Sequence, residues 1–288
     1  MVQDDASYVN MHGIFEDYCR RNGLNKDEPV LFTIEKLRAL QPVSRAPVSY
    51  STVLDTNELQ QKNPEHANSI RLETFAAVQE KYVPQTIMLD YFRSTYHNFA
   101  DFWLFRRTFS YQLAALTFMT YVMHMNTRYP HKLSISRGSG RVWGAELIPS
   151  MAVGKPIMHN NEPVPFRLTP NLQVLMGPLH LEGIFASAVM TVARCLIEPE
   201  GELEMQLAIF MRDEMNHWFT SQQKQLTPDG LRESVQQNSD LIVKRATSIG
   251  SLPGGANLPA NQTMVDLVSM AVNPMKLAQT DPLWMAYL

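Results

Sequence analysis

Thr108–Thr127 reads TFSYQLAALTFMTYVMHMNT, and this stretch decides the fold because it carries no formally charged residue over twenty positions. A segment of that length could cross a bilayer. However, hydroxyl, amide and imidazole side chains are scattered along it, and Arg106 and Arg107 precede it directly. Its apolar residues fall on two helical faces, and one of them contains Tyr111 and Phe118. Because such a distribution is typical of a buried helix in a soluble domain, we predict a central core helix here.

The overall composition limits the class of protein. The chain has 288 residues, of which 45% are hydrophobic, and it carries 25 Lys+Arg against 28 Asp+Glu, a net charge of −3. This length suits one large domain or two modest ones with ample core. The charge excludes a strongly basic nucleic-acid binder. Cys19 and Cys195, the two cysteines, exclude a disulfide framework and a four-cysteine zinc site, so a reducing intracellular location is the default expectation.

The residues before the central helix are predicted to be mostly helical. Apolar spacing indicates one helix over 6–21 and a second that Asp27 caps. Residues 42–68 are polar and interrupted by prolines, which is typical of a surface insertion. Helical spacing resumes at Ile70, is interrupted at Pro84, and then continues towards the central helix.

The residues after the central helix contain the one clear β signal. Leu133–Ile135 and Val142–Trp143 flank a glycine-bearing turn and predict a short hairpin. A loop over 144–165 and further helices follow. We expect the main lobe to end near residue 250, followed by a linker and a small helical module. The predicted helices after the hairpin cover 181–196 and 202–219. The predicted lobe covers 1–250, the linker 251–260 and the module 261–288. Within the module, Asn273 and Asp281 each precede a proline and are predicted helix caps.

Residue chemistry by itself offers few candidate sites. His124 and His131 flank the end of the central helix without a metal-binding spacing, so structural histidines are the simpler interpretation. The charged run 212–217 could act as an acid–base cluster, but a solvated helix face with local ion pairs is the alternative. The glycines of the predicted hairpin turn lack the Gly-Lys-Ser/Thr that a phosphate loop requires.

The order of the segments carries a more specific signal. The buried helix, an irregular loop, the hairpin and a second loop lead to PVPFRLTP at 163–170. This succession resembles the carboxy-terminal lobe of the phosphatidylinositol 3-kinase-related protein kinases, and DPLWMAYL at 281–288 resembles the end of their FATC module. The stretches 2–5, 16–20, 101–106 and 163–171 resemble the transcription-coactivator scaffolds of that family. The resemblance implies a mainly α (α+β) fold, a kinase-like C-lobe with a short hairpin and a helical FATC module.

The same resemblance places the family's catalytic positions. Active members carry Gly-Asp-Arg-His-x-x-Asn, which falls on 126–132, and a later Asp-Phe-Gly, which falls within 144–148. The catalytic aspartate then corresponds to Thr127 and the metal-binding asparagine to Lys132, while only Glu146 keeps a carboxylate. Phosphoryl transfer requires oxygen ligands for Mg²⁺ and a carboxylate that orients the nucleophile. The resemblance therefore implies a pseudokinase with no catalytic residue, cofactor or metal.

Two further considerations bear on this expectation. A shift of the alignment by one or two residues would place Asn126 or His131 at a catalytic position, and neither residue restores a carboxylate. No glycine-rich nucleotide cover or strand lysine precedes Asp101. We therefore expect that this chain does not bind ATP in the ordinary way.

The resemblance implies a nuclear scaffold that acts through protein contacts. The expected partners are transcriptional activators, subunits of histone acetyltransferase complexes (SAGA and a MYST-type assembly), and the FAT region and amino lobe of the same scaffold, with no direct nucleic acid. Two alternatives remain: an unconventional serine/threonine kinase and a lipid-contacting module through the FATC tip. A membrane is the less expected partner because Lys276 stands alone near that tip. The residues expected to have structural or interaction roles are Pro165, Phe166, Arg167, Leu168, Thr169, Trp284, Met285 and Leu288.

Overall fold

The computed structural model describes residues 6–38, 64–125, 128–145, 147–152, 154–159, 162–177, 181–197, 202–222, 227–250 and 262–288. Thr127, Glu146, the predicted linker 251–260 and most of the predicted insertion lie outside these ranges. The division of the chain into lobe, linker and terminal module remains a prediction. None of the described helices combines the length and the hydropathy that a bilayer crossing requires.

The protein is mainly helical with one small antiparallel sheet. Its strands are β1 (Tyr8–Asn10), β2 (Leu133–Ser136) and β3 (Val142–Gly144). Its helices are α1 (Met11–Asn22), α2 (Glu28–Arg38), α3 (Pro64–Lys81), α4 (Ile87–Thr95), α5 (Phe99–Val122), α6 (Pro170–Met176), α7 (Ala186–Ile197, preceded by a π-helical turn Leu181–Phe185), α8 (Glu202–Ser221), α9 (Pro228–Gly250), α10 (Gln262–Val272) and α11 (Pro274–Leu277), followed by a 3₁₀ turn (Pro282–Trp284).

Helix α5 is the predicted central helix, and its inner face fills the core. Asn98 caps it by accepting a hydrogen bond from Ala100 N, 3.0 Å away. The predicted inward position of Tyr111 is wrong, because 42% of its surface is exposed. Successive helical residues are about 100° apart, so Tyr111 lies about 200° from both Phe109 and Leu113, which are buried. One of the two apolar faces therefore points outwards at this level.

The first residues form a strand where the sequence predicts a helix. Tyr8–Asn10 pairs antiparallel with β2, which gives the sheet order β1-β2-β3. Asn10 then caps α1, because its Oδ1 accepts a hydrogen bond from Gly13 N at 2.6 Å. The helix therefore begins at Met11 and not at Ala6, since long-range pairing overrides the local preference. The predicted hairpin of β2 and β3 is confirmed.

The segment predicted as a loop over 144–165 contains a narrow ribbon. Met151 and Met158 form an antiparallel bridge, and Ala152 N donates to Ile157 O at 2.8 Å. Asn238 of α9 anchors this ribbon. Its Oδ1 accepts from Met158 N at 2.7 Å, and its Nδ2 donates to the backbone oxygen of Pro156 at 2.8 Å. Helix α9 is absent from the sequence-based prediction, so this anchor was not foreseen either.

The start of α3 differs from the prediction, whereas the two caps in the terminal module agree with it. Helix α3 begins at Pro64, so residues 64–68 of the predicted insertion are helical, as first-turn proline permits. In the terminal module, Asn273 and Asp281 act as caps, as predicted. Asn273 Oδ1 accepts from Met275 N, and Asp281 Oδ1 accepts from Leu283 N.

We expect Gly140→Ala to lower the free energy of unfolding by about 3 kcal/mol. Gly140 has φ +72°, and an added Cβ would lie 2.5 Å from the backbone oxygen of Phe105 in α5. Neighbouring Gly138 provides the matched control, because its Cβ would meet nothing within 4 Å. Urea unfolding of both variants tests this, and equal losses of stability would show that the hairpin turn is not packed against α5.

Candidate functional site

Lys132, the predicted metal-binding position, lies at the base of the hairpin. Leu133 pairs with Gly144 across β2 and β3. Beyond this pair, the backbone oxygen of Lys132 accepts a hydrogen bond from Ala145 N at 2.8 Å. Lys132 is therefore a direct neighbour of the residue that precedes Glu146. Thr127 and Glu146 themselves lie outside the described residues.

The ammonium group of Lys132 packs on an aromatic ring. Its Nζ lies 5.4 Å from the ring centroid of Tyr129, within the range of a cation–π contact. The Tyr129 ring also lies 5.7 Å from that of His131. An ammonium has three hydrogen-bond donors and no acceptor, so Lys132 cannot act as a metal ligand.

The buried side chain of Arg128 joins the segment 128–132 to the start of the PFRLT signature at 165–169. Its Nη1 donates to the backbone oxygen of Val164 at 2.6 Å, and its Nη2 donates to that of Pro165 at 2.9 Å. Burial lowers the pKa of Arg128 to about 10, and the nearby carboxylate of Glu162 opposes this effect. The guanidinium therefore remains charged at neutral pH and ties the two segments together.

Arg167 in turn holds the terminal module. The side chain is buried, and its Nη1 donates to the backbone oxygens of Arg128 at 2.6 Å and Trp284 at 2.7 Å. Its Nη2 donates to the backbone oxygens of Met285 at 3.0 Å and Leu288 at 2.9 Å. The guanidinium also lies 4.9 Å from the centroid of the Trp284 ring system. Burial lowers the pKa of Arg167 to about 9, which still leaves it charged at neutral pH.

Asn171 makes a second connection to the terminal module. Its Nδ2 donates to the backbone oxygens of Tyr287 at 3.0 Å and Pro84 at 3.1 Å, and its Oδ1 accepts from Met88 N. Residues 284–288 at the end of the module are correspondingly shielded from solvent. Among residues 283–288, the large apolar side chains are buried apart from Leu283, which is 44% exposed; the buried ones are Trp284, Met285, Tyr287 and Leu288.

The other signature residues also face inwards. Phe166 is buried, with its ring centroid 6.5 Å from that of Phe185, and Leu168 is fully buried. Thr169 adopts an extended conformation immediately before α6. Pro165 contributes its carbonyl to Arg128. The signature therefore acts as internal structure, and its assignment as a functional site remains a prediction.

His124 lies in a cationic environment at the end of α5. It has φ +48°, and its pKa is lowered to about 3, first by burial and then by Arg245, Arg128 and His159. Arg245 donates from Nη1 to the backbone oxygen of Val122 at 2.8 Å. Across the ranges that the structure describes, no three His, Cys, Asp or Glu side chains form a group that could hold a metal ion.

The remaining sequence candidates lie apart from this region. Arg212, Asp213 and His217 are exposed on α8. A cleft of about 510 Å³ opens beside the loop, between Tyr129, α2 and Met285. Its walls combine apolar side chains with a few polar ones.

Comparison with known proteins defines the family. The family model described as phosphatidylinositol 3- and 4-kinase matches residues 6–220. The chain belongs to this family. The resemblance to its protein-kinase-related members is thereby confirmed.

The curated relatives of this chain have names that refer to acetyltransferase complexes or to transcription. The chain is 39% identical over its whole length to the SAGA complex/NuA4 acetyltransferase complex subunit Tra1 of Schizosaccharomyces pombe. It is 36% identical over 98% of its length to the protein of the same description in Saccharomyces cerevisiae. It is 25% identical to the transformation/transcription domain-associated protein of Mus musculus over its whole length. The chain spans 8%, 8% and 11% of these relatives, respectively.

Solved structures share the fold. The open conformation of CtTel1 matches the whole chain and 9% of its own chain, with a TM-score of 0.60 and 16% identity. The FAT and kinase domain of CtTel1 matches 84% of this chain and 16% of its own, with a TM-score of 0.53 and 19% identity. The predicted kinase-like fold is confirmed.

Sequence reasoning missed three residues that organise this region: Arg128, Asn171 and Asn238. The first two lie within stretches that the resemblance singled out, but their roles depend on backbone oxygens far away in sequence. Asn238 is fully buried in α9, and a buried amide needs hydrogen-bond partners. The buried face of α9 also contains Ser234 and Ser239, so the sequence pattern gives no distinct signal for Asn238.

We expect Arg167→Met to lower the free energy of unfolding by about 3 kcal/mol, because four backbone oxygens lose their donor. Arg167→Lys should recover only part of this loss, since an ammonium cannot reproduce the planar fork of donors. Arg141→Met, at an exposed arginine, is the control and should change little. Urea unfolding measures all three, and wild-type stability of Arg167→Met would contradict the proposed grip on the terminal module.

The low pKa of His124 predicts a pH dependence. The unfolded chain takes up this proton near pH 6.5 and the folded protein only near pH 3, so stability present above pH 6.5 is lost as the pH falls. His124→Asn should make this loss shallower, because asparagine is neutral and tolerates a positive φ. His217→Asn, at an exposed histidine, is the control. The slope of unfolding free energy against pH checks the prediction, and equal slopes for His124→Asn and the wild type would refute it.

Proposed function

We propose that this chain is a catalytically inactive, kinase-like lobe of a scaffold that works in histone acetyltransferase complexes. The observation that carries the proposal is the substitution pattern at the family's catalytic positions. Thr127 and Lys132 replace the aspartate and asparagine of active members, and Glu146 is the one carboxylate that remains. A cation at the metal-binding position repels Mg²⁺ instead of coordinating it.

The hairpin geometry supports this alignment. Ala145 N donates a hydrogen bond to the backbone oxygen of Lys132, so the predicted metal-binding position lies across the hairpin from the residue that precedes Glu146 in sequence. The Lys132 ammonium lies over Tyr129, so it occupies the base of the hairpin together with an aromatic ring. This arrangement combines a cation and apolar surface where phosphoryl transfer requires anionic oxygen ligands.

The names of the relatives support a role in histone acetyltransferase complexes. Their printed descriptions name SAGA and NuA4 acetyltransferase complexes. We infer a nuclear protein whose partners are subunits of such complexes, transcriptional activators, and the FAT region and amino lobe of the same scaffold. The net charge of −3 does not favour direct contact with nucleic acid.

We expect the intact protein to show no Mg²⁺-dependent ATP binding and no phosphoryl transfer. The measurement is a titration with a fluorescent ATP analogue in Mg²⁺ and in EDTA, and the two curves should coincide. Thr127→Asp combined with Lys132→Asn tests whether the two positions are the cause, because it restores an acidic and an amide oxygen. A gain of Mg²⁺ dependence in this double variant would support the alignment.

The matched control is Lys155→Asn, which removes an exposed lysine from the ribbon. It should leave the titration unchanged. Magnesium-dependent ATP binding or phosphoryl transfer by the unmodified protein would overturn the proposal in favour of an unconventional kinase.

A further inference from the structure

One face of α5 carries large side chains that the fold leaves in solvent. Phe99, Trp103, Arg107 and Tyr111 follow one another at intervals of four residues, so they lie along a single side of the helix. The exposed fractions are 80% for Phe99, 45% for Trp103 and 42% for Tyr111. We call these four residues the α5 ladder. From Phe99 to Tyr111 the ladder extends about 18 Å along the helix axis.

The cation of the ladder is held between two rings. The guanidinium carbon of Arg107 lies 5.7 Å from the ring centroid of Trp103 and 5.8 Å from that of Tyr111. Both distances are typical of cation–π stacking. Arg107 forms no ion pair with any residue that the structure describes. The stacking orders the side chain in advance and leaves its hydrogen-bonding edge available.

The core does not require these aromatic groups. Phe102, Phe105 and Phe109 on the opposite side of α5 are buried and supply its packing. Trp, Tyr and Arg are the residue types that most often dominate the binding energy of protein interfaces. A row of exposed aromatic side chains around an ordered arginine therefore has the composition of an interface centre.

The charge pattern indicates what the ladder would bind. No acidic residue lies among the ladder or the positions next to it at 100, 104 and 108. Asp101 lies about 200° around the helix from both Phe99 and Trp103. The ladder thus presents one positive charge between apolar surfaces. A carboxylate can meet the guanidinium through two parallel hydrogen bonds while apolar side chains on either side cover the rings.

We propose that the α5 ladder is a docking surface for a polypeptide segment in which a carboxylate is flanked by apolar side chains. A nucleic acid or an anionic membrane is a poorer match, because binding to either requires several cations and the ladder contains one. The inference goes beyond the proposed function and holds whether or not the lobe transfers phosphate, since α5 presents this face independently of the catalytic positions.

The test measures binding of a labelled synthetic peptide to the intact protein by fluorescence anisotropy. The peptide is an amphipathic helix with leucine and phenylalanine on one face and a central glutamate. A second peptide carries glutamine at that position, and a third carries lysine. Arg107→Glu and Trp103→Ala are the test variants. Arg232→Glu, at an exposed arginine of α9, is the matched control, and thermal melting confirms that each variant is folded.

The glutamate peptide should bind the wild type and Arg232→Glu equally, and about tenfold more weakly to Arg107→Glu or Trp103→Ala. The lysine peptide should show the reverse preference and bind Arg107→Glu better than the wild type. The inference is overturned if the glutamate peptide fails to bind the wild type, if Arg107→Glu binds it equally well, or if the glutamine peptide binds as tightly.

Discussion

The hydrogen bonds from the Arg167 guanidinium to main-chain oxygens are the interaction on which the rest of the lobe depends. No aspartate or glutamate side chain in the described ranges pairs with this buried cation, and four main-chain oxygens accept its hydrogen bonds. One of these oxygens belongs to Arg128, whose own side chain holds the segment immediately before Arg167. The two arginines therefore interlock the catalytic-loop region, the PFRLT signature and the terminal module into one buried network.

This network shows that the kinase-like lobe is held together by contacts other than those of the predicted metal-binding side chain Lys132. The hydrogen bonds of Arg128 and Arg167 that join these segments end on main-chain oxygens, so they do not involve the side chain of Lys132. A substitution at Lys132 changes what the loop can coordinate but leaves the network intact. The contacts that hold the fold are thus distinct from the side chain at the predicted metal-binding position, as is common where one fold carries different functions.

Helix α5 shows both the strength and the limit of prediction from sequence. The uncharged stretch correctly predicts a long core helix, because burial leaves little room for unpaired charge. The same pattern misplaces Tyr111, since an apolar residue on a helix does not reveal whether another element covers it. The strand Tyr8–Asn10 and the ribbon around Met158 were missed for a related reason. Both depend on backbone pairing with residues that are distant in sequence.

The sequence by itself determined the mainly helical class of fold and the helix caps at Asn273 and Asp281, because these are recorded in local residue types and their spacing. The resemblance to the family added the prediction that Thr127 and Lys132 stand at catalytic positions. Only the tertiary structure decided that Arg167, Arg128 and Asn171 grip the backbone of other segments. A backbone oxygen is present at every position, so residue identity cannot show which of them a buried side chain will reach.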